Sequence, residues 1–154
     1  MQLEIHNMAG HLIRRMNQIS TSVFQTRMKE HGIDLTQVQF AALNAIRAYP
    51  ETDQATLAGL IAYDRATIGG VVDRLEAKGL IERKVRPEDR RARQLTITEQ
   101  GQKVLAEMSP LVRDLQAQIL NGLSASERET FLQLAEKAAT AGNQYSRAPL
   151  VTPE

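Results

Sequence analysis

Cysteine and tryptophan are absent from this 154-residue chain, and aromatic residues make up only 4% of it. Without cysteine, the chain cannot form disulfides, cysteine-based zinc sites, iron–sulfur clusters or a thiol nucleophile. No apolar run approaches the roughly 20 residues of a membrane span, and the N-terminus lacks a signal-peptide core, so we expect a cytoplasmic protein. The length fits one compact domain, whose core has to be aliphatic.

Sequence signatures of catalysis and metal binding are missing as well. The chain has no nucleophile elbow, phosphate-binding glycine loop or HExxH motif, and its three histidines include no helical metal-binding pair. Asp53 and Asp64 stand where helix caps are expected rather than as paired catalytic acids. We therefore predict that the protein is not an enzyme and holds no metal or cofactor.

Helical periodicity dominates the first part of the chain. Apolar residues recur every three to five positions over residues 5–28, which predicts a long amphipathic helix that ends near Gly32. A second helix is expected to begin at Asp34, with Gln37 as its capping-box partner, and to end before Pro50.

Two shorter helices are predicted next, in close succession. Thr52 or Asp53 is expected to cap the first of them, and Asp64 to cap the second, which ends at Gly79. The second has apolar side chains at i, i+3, i+4 and i+7 over residues 68–75, which is one buried stripe. Helices of this length that are joined by a few residues indicate a helix-turn-helix.

The pattern changes after Gly79. Residues 80–85 form a short strand-like run, and residues 93–98 alternate between apolar and polar side chains, as a half-buried strand does. Pro87 and Asp89 favour a turn between the two. The sequence thus predicts a β-hairpin with a charged tip, directly after the helix-turn-helix.

Two more helices are predicted beyond the hairpin. Thr98 can cap a fifth helix, in which Pro110 is expected to cause a kink or a local break. Ser124 and Glu127 form a capping box for a sixth helix. Residues 143–154 contain two prolines and are expected to be a flexible tail.

The formal net charge is only +1, but the charges are unevenly distributed. Residues 83–93 hold six basic and two acidic side chains, a net of +4, which leaves −3 on the other 143 residues. A charge run is more often only a solvated turn. Because this one follows a helix-turn-helix, we interpret the two together as a winged helix. In that architecture the second helix enters the major groove of DNA, and the wing reaches the backbone or the minor groove.

Residues 71–101, VVDRLEAKGLIERKVRPEDRRARQLTITEQG, resemble the signature of the MarR family of bacterial transcription regulators. The resemblance implies a mainly α fold with a small β-hairpin wing, α+β by strict class. It implies one domain with a winged helix-turn-helix lobe at 34–98 and helices at 1–33 and 99–142 that pair two chains. Such a homodimer would bind a palindromic operator, because its two-fold symmetry matches that of the DNA.

The resemblance also implies roles in DNA binding. Arg91 matches the wing arginine that enters the minor groove, and Asp89 matches the acid that braces it. Arg65 and Thr67 fall in the first turn of the recognition helix, where family members contact bases and phosphates. Arg74 is either a phosphate contact or the ion-pair partner of a nearby acid or of the wing. The other predicted contacts are Arg86, Arg90 and Arg93.

One departure from the family pattern lies in the recognition helix. Family members often carry Thr-Arg where this chain has Gly69–Gly70. Two interior glycines should cost about 1 kcal/mol each relative to alanine, and they remove a DNA contact. Either they let the helix backbone approach DNA closely, or they allow close packing against the third helix.

Many family members bind small aromatic carboxylates or phenols between the dimerisation helices and the DNA-binding lobe, and this releases DNA. The candidates for such a pocket here are His6, His11, Arg15, Asn44 and Arg47. His11 and Arg15 share a helix face at spacing i, i+4, and a cationic pair beside apolar side chains suits an anionic ring. The alternative is that these are ordinary surface residues of a long helix.

Together these features predict a homodimeric transcription regulator, a repressor that a small anionic or aromatic effector releases from its operator. Two alternatives stay open. One is a ligand-independent or architectural DNA-binding protein on the same fold. The other is a winged helix that binds proteins and has lost DNA binding, against which the arginine-rich wing argues.

Overall fold

The structure, a computed structural model, describes residues 1–88 and 93–153. These residues form the mainly helical fold with one antiparallel hairpin that the sequence predicted. The elements in chain order are α1 (Ala9–Glu30), α2 (Gln37–Ala48), α3 (Gln54–Leu60), α4 (Ile68–Ala77), β1 (Ile81–Val85), β2 (Arg93–Ile97), α5 (Glu99–Ile119) and α6 (Ala125–Ala141). Among the described residues, no helix combines the length and the apolar character that crossing a bilayer requires.

The predicted starts of the first and the second helix are wrong. The first apolar stretch is not one helix, because a 3-10 helix (Glu4–Asn7) precedes α1 and extended backbone at Met8 separates them. The second helix begins later than expected, because Thr36 rather than Asp34 is its N-cap and forms the capping box with Gln39. Thr36 and Gln39 have the same capping-box spacing as the predicted pair, Asp34 and Gln37, so spacing does not distinguish them.

Other predictions about helix ends are confirmed. The side chains of Asp53 and Ser124 accept hydrogen bonds from backbone amides in the first turns of α3 and α6, and Ser124 forms the predicted capping box with Glu127. Of the kink or local break expected at Pro110, the break does not occur, because α5 is continuous through this residue. Met108, which is fully buried, holds the turn before the proline against the core.

The core lies where α2, α3, α4 and the hairpin meet, with α5 packed against α1 and α2. It is aliphatic, as the composition predicted. The strands pair in antiparallel register, from Ile81 opposite Ile97 to Val85 opposite Arg93. A bridge between Thr52 and Leu95 attaches the hairpin to the loop before α3, so the wing has a fixed position on the lobe. The largest fully buried side chains include Leu43, Ile46, Leu57, Leu75, Ile81, Leu95 and Leu105.

Residues 143–153 correct the prediction of a flexible tail. A 3-10 helix (Asn143–Tyr145) follows α6, and the Asn143 side chain makes hydrogen bonds of 2.9 and 2.8 Å with the carbonyl and the amide of Leu150. The Val151 amide then donates to the carbonyl oxygen of Gly59 in α3, at 2.9 Å. One asparagine side chain supplies both a donor and an acceptor, which closes the segment into a loop that lies on α3.

Candidate DNA-binding site

The helix-turn-helix consists of α3, α4 and the residues between them. The predicted apolar stripe of α4 is buried, which leaves the opposite face of this helix toward solvent. Asp64 caps the turn before α4 and not α4 itself. Its carboxylate accepts from the Ala66 amide at 2.8 Å, and its carbonyl accepts from the Thr67 and Ile68 amides. The prediction that Arg65 and Thr67 fall in the first turn of the recognition helix is therefore wrong. Both lie in the exposed turn just ahead of it, and Thr67 is the N-cap of α4.

Arg83 has a role that sequence reasoning missed. It was counted among the wing cations, but its side chain is only 14% exposed and points at the recognition helix. Its Nη2 bonds the carboxylates of Asp73 and Glu76, the latter at 3.2 Å, and its Nη1 donates to Gln54 at 3.2 Å. The hydrogen bond to Asp73 is the main cause of the raised pKa of Arg83. Arg83 thus neutralises two acids of α4, which would otherwise repel DNA phosphates.

Arg74 does not form the ion pair that was its alternative role within α4. Arg83 binds both Asp73 and Glu76, and the Arg74 guanidinium lies along its own helix, with Nη1 at 3.5 Å from the Gly70 carbonyl oxygen. Arg74 is exposed, and among the described residues no acid pairs with it. Its assignment as a phosphate contact stays a prediction.

The cations in the described part of the wing differ in their exposure. Arg86 is half-buried, and its Nη2 donates to the backbone carbonyl of Glu51 at 3.2 Å, so it braces the loop before α3. Lys84 and Arg93 are exposed on the two strands. The assignments of Arg86 and Arg93 as DNA contacts stay predictions, and the remaining assigned wing residues, Asp89, Arg90 and Arg91, lie outside the described residues.

Close packing does not explain the two glycines of the recognition helix. A Cβ atom on Gly69 would lie 3.7 Å from the Gln54 side chain, and one on Gly70 would lie 3.6 Å from Arg74. Both distances are ordinary van der Waals contacts, and neither glycine has a positive φ. Packing against α3 therefore does not require glycine rather than alanine at either position, and close approach to DNA stays a prediction.

We expect Gly69→Ala and Gly70→Ala to stabilise the free protein and to weaken its binding to DNA. Each substitution should raise the free energy of unfolding by about 0.5–1 kcal/mol, because alanine loses less backbone entropy than glycine in a helix. Thermal melting measures the first effect, and titration of operator DNA measures the second. Wild-type operator affinity in both variants would show that the glycines do not serve DNA approach.

The predicted effector residues near the N-terminus lie close together. The rings of His6 and His11 are 5.4 Å apart, and His11 Nδ1 is 3.3 Å from Arg14 Nη2. Desolvation and the positive charges of Arg14, His6 and Arg15 lower the pKa of His11. The lowered pKa favours the neutral imidazole of His11, so the positive charge of the predicted pair lies mainly on Arg15.

Asn44 and Arg47 lie in a different place within one chain. They line a cavity of about 500 Å³ between α2 and α5, together with Phe40 and Arg113. Arg47 Nη2 lies 3.5 Å from Asn44 Oδ1, and the Asn44 amide donates to the Phe40 carbonyl. None of the three N-terminal candidates lines this cavity. The five predicted residues thus form two groups, one on α1 and its approach and one between α2 and α5.

Comparison with known proteins identifies the fold. The model of the MarR family matches residues 35–92. The HTH-type transcriptional repressor NicR of Pseudomonas putida is 35% identical over 134 residues, which cover 87% of this chain and 84% of NicR. The chain belongs to the MarR family. As a MarR-family member it is a winged-helix, DNA-binding transcription regulator and not an enzyme.

Solved structures of two MarR-family regulators resemble the chain over most of its length. PcaV from Streptomyces coelicolor, in complex with its natural ligand, has a TM-score of 0.82 and 31% identity, covering 92% of this chain and 99% of PcaV. BpsR from Bordetella bronchiseptica, whose DNA binding is regulated by 6-hydroxynicotinic acid, has a TM-score of 0.81 and 29% identity, covering 90% of this chain and 98% of BpsR. The likeness thus extends beyond the lobe into the helices on either side of it.

Proposed function

We propose that the protein is a homodimeric repressor that binds a palindromic operator and is released by a small anionic aromatic effector. The main support for the DNA-binding part of this proposal is the arrangement of charges on the lobe. Arg83 neutralises the acids of the recognition helix, while Arg65 and Arg74 remain exposed beside them. A surface of this charge attracts DNA phosphates, and repression is the activity by which the relative NicR is named.

Apolar surface on the outer helices supports pairing of two chains. α6 buries none of its residues within the chain, and its Leu132 and Leu134 are 58% and 60% exposed. On α1, Ile13 is 67% exposed. Large apolar side chains exposed in this number mark an interface, and a symmetric dimer would also match the symmetry of a palindrome.

Operator binding tests this proposal directly. The purified protein is titrated against the intergenic DNA upstream of its own gene and against unrelated DNA of equal length, and sedimentation gives the mass of the free and the bound protein. We expect sequence-selective binding at physiological salt by two chains per operator. Equal, weak binding to both DNAs would favour the winged helix that binds proteins instead.

The effector part rests on the two groups of polar residues described above. We expect an aromatic acid such as 6-hydroxynicotinic acid, which regulates the relative BpsR, to weaken operator binding of this protein. His11→Ala and Arg15→Ala should each raise the ligand concentration needed for release by about 10- to 100-fold, because hydrogen bonds to a charged ligand are lost.

The exposed Lys29 on the same helix provides the control. Lys29→Ala removes a positive charge from α1 and should leave the ligand response unchanged. An unchanged response in both the His11 and Arg15 variants would reject the pocket. If wild-type protein stays on its operator in every aromatic acid tested, the ligand-independent regulator becomes the better description.

A further inference from the structure

The C-terminal segment, residues 143–153, is attached to the DNA-binding lobe of its own chain. Besides the hydrogen bond from the Val151 amide to Gly59, the Val151 side chain packs closely against the backbone of Gly59. A Cβ atom on Gly59 would lie only 3.1 Å from the Val151 Cβ. The absence of a side chain at Gly59 therefore allows the segment to lie directly on α3.

The C-terminal segment contains one charged residue, Arg147. Its Nε lies 2.9 Å from Oδ2 of Asp64, and the side chains are 88% and 22% exposed. The ion pair thus holds one edge of the guanidinium, while most of the group stays in solvent. An arginine fixed in this way keeps further N–H donors for another acceptor.

Arg147 lies beside the N-terminal end of the recognition helix. Asp64 directly precedes Arg65 in the turn before α4, and Arg65 and Arg147 line the same cavity of about 510 Å³ between this turn and the C-terminal segment. The pair also removes the negative charge that Asp64 would otherwise present to an approaching phosphate. The two arginines therefore form a continuous basic edge at the end of the helix that faces DNA.

We propose that Arg147 is a further DNA-contacting residue, which binds a backbone phosphate next to the point where the recognition helix enters the major groove. The C-terminal segment delivers this arginine by docking on α3. The planar guanidinium matches the geometry of phosphate as well as that of carboxylate, and phosphate contacts fix the position of a protein on DNA without reading its sequence. The proposal rests on the proposed DNA interface around Arg65.

Two substitutions in the full-length protein test the proposal. Arg147→Ala removes the charge but keeps the docked segment, and Val151→Pro keeps the charge but removes the amide that bonds Gly59. Each substitution should weaken DNA binding by roughly fivefold per bound chain at 0.15 M salt. The loss should be the same for the operator and for unrelated DNA. For Arg147→Ala, the slope of log K against log salt should become shallower by about 0.9 per chain.

Lys137 on α6 is the matched control, since Lys137→Ala removes one exposed positive charge outside the lobe and should change neither affinity nor slope. Thermal melting checks that Arg147→Ala is folded, because an exposed side chain adds little to stability. Hydrogen exchange of the Val151 amide in the wild type checks the docking, and we expect slow exchange.

The outcomes separate this proposal from the proposed function. If Arg65→Ala weakens operator binding and Arg147→Ala leaves affinity and slope unchanged, the DNA interface stands and Arg147 is not part of it. Stronger DNA binding by Arg147→Ala or Val151→Pro would also overturn the proposal, because the segment would then block DNA. If wild-type protein shows no operator binding, the proposed function itself fails.

Discussion

Replacing Arg91 with alanine is expected to weaken operator binding by about 10- to 100-fold. The size of this effect follows from the role in the minor groove that the resemblance to the family implies for Arg91. The last pair of the hairpin joins Val85 to Arg93, and residues 86–92 connect the strands at the end away from Ile81 and Ile97. An arginine that enters a narrow minor groove there loses both its hydrogen bonds and its attraction to the groove when it is truncated.

Arg91→Ala should leave the fold and the pairing of chains unchanged, which thermal melting and sedimentation measure beside the DNA titration. Arg83→Ala is an informative comparison, because Arg83 lies in the same run of basic residues but binds the acids of α4. Its loss should lower the melting temperature as well as DNA affinity. Wild-type affinity of the Arg91 variant at physiological salt would refute the assignment of Arg91 to the minor groove.

Replacing Gly101 with alanine is expected to lower the free energy of unfolding by about 1–3 kcal/mol, or the melting temperature by roughly 2–12 °C. The added Cβ would overlap the carbonyl oxygen of Leu80 and lie 2.8 Å from Cγ1 of Ile97. That carbonyl also accepts a hydrogen bond from the Thr98 amide. It is backbone, so it cannot move aside without disturbing the hairpin.

The close approach of Gly101 to Leu80 and Ile97 joins the hairpin to the start of α5. Thr98 is the predicted N-cap of α5, and its hydroxyl accepts from the Gly101 amide at 3.0 Å and bonds the Gly79 carbonyl at 2.7 Å. Gly101→Ala therefore strains a point at which three elements meet, and we expect the lobe to lose its fixed position on α5 together with part of its stability. Thermal or denaturant unfolding followed by circular dichroism measures the loss.

Gly10 provides a matched control, because it also lies in a helix but an added Cβ there would have no neighbour within 4 Å in the chain. Gly10→Ala should stabilise the protein by about 0.5–1 kcal/mol, the usual gain from replacing a helical glycine. Equal effects of Gly101→Ala and Gly10→Ala on stability would show that the residues around Gly101 do not require glycine there.

Local signals in the sequence were sufficient for most of the fold. The caps at Asp53, Thr98 and Ser124, the stripe of α4 and the alternation of β2 each depend on residues a few positions apart. The prediction of Asp34 as the cap of α2 was wrong, because Thr36 and Gln39 have the same spacing and form the capping box instead. Pro110 is a different case. A residue that usually breaks a helix is tolerated there, because packing on both sides of it holds α5 in place.

The candidate site was predicted less completely, because charge counting along the chain does not show which cations are already paired. Arg83 and Arg86 belong to the basic run, yet one binds the acids of α4 and the other binds the Glu51 carbonyl. The net charge of +4 over residues 83–93 therefore overstates what the wing itself offers to DNA. An alternation of inward and outward side chains along β1 is the one signal that could have revealed Arg83.

The sequence by itself determined the family, the winged helix and the basic hairpin, because these follow from periodicity, capping and a motif that are all local. Only the tertiary structure decided that Arg83 serves the recognition helix and that Arg147 pairs with Asp64. It also decided that the C-terminal segment lies on α3 instead of extending into solvent. The contacts of the C-terminal segment join residues far apart in the chain, so they form only after the core has brought their elements together. Arg83 is closer in sequence to its partners, but it reaches them only because the strand β1 packs beside α4.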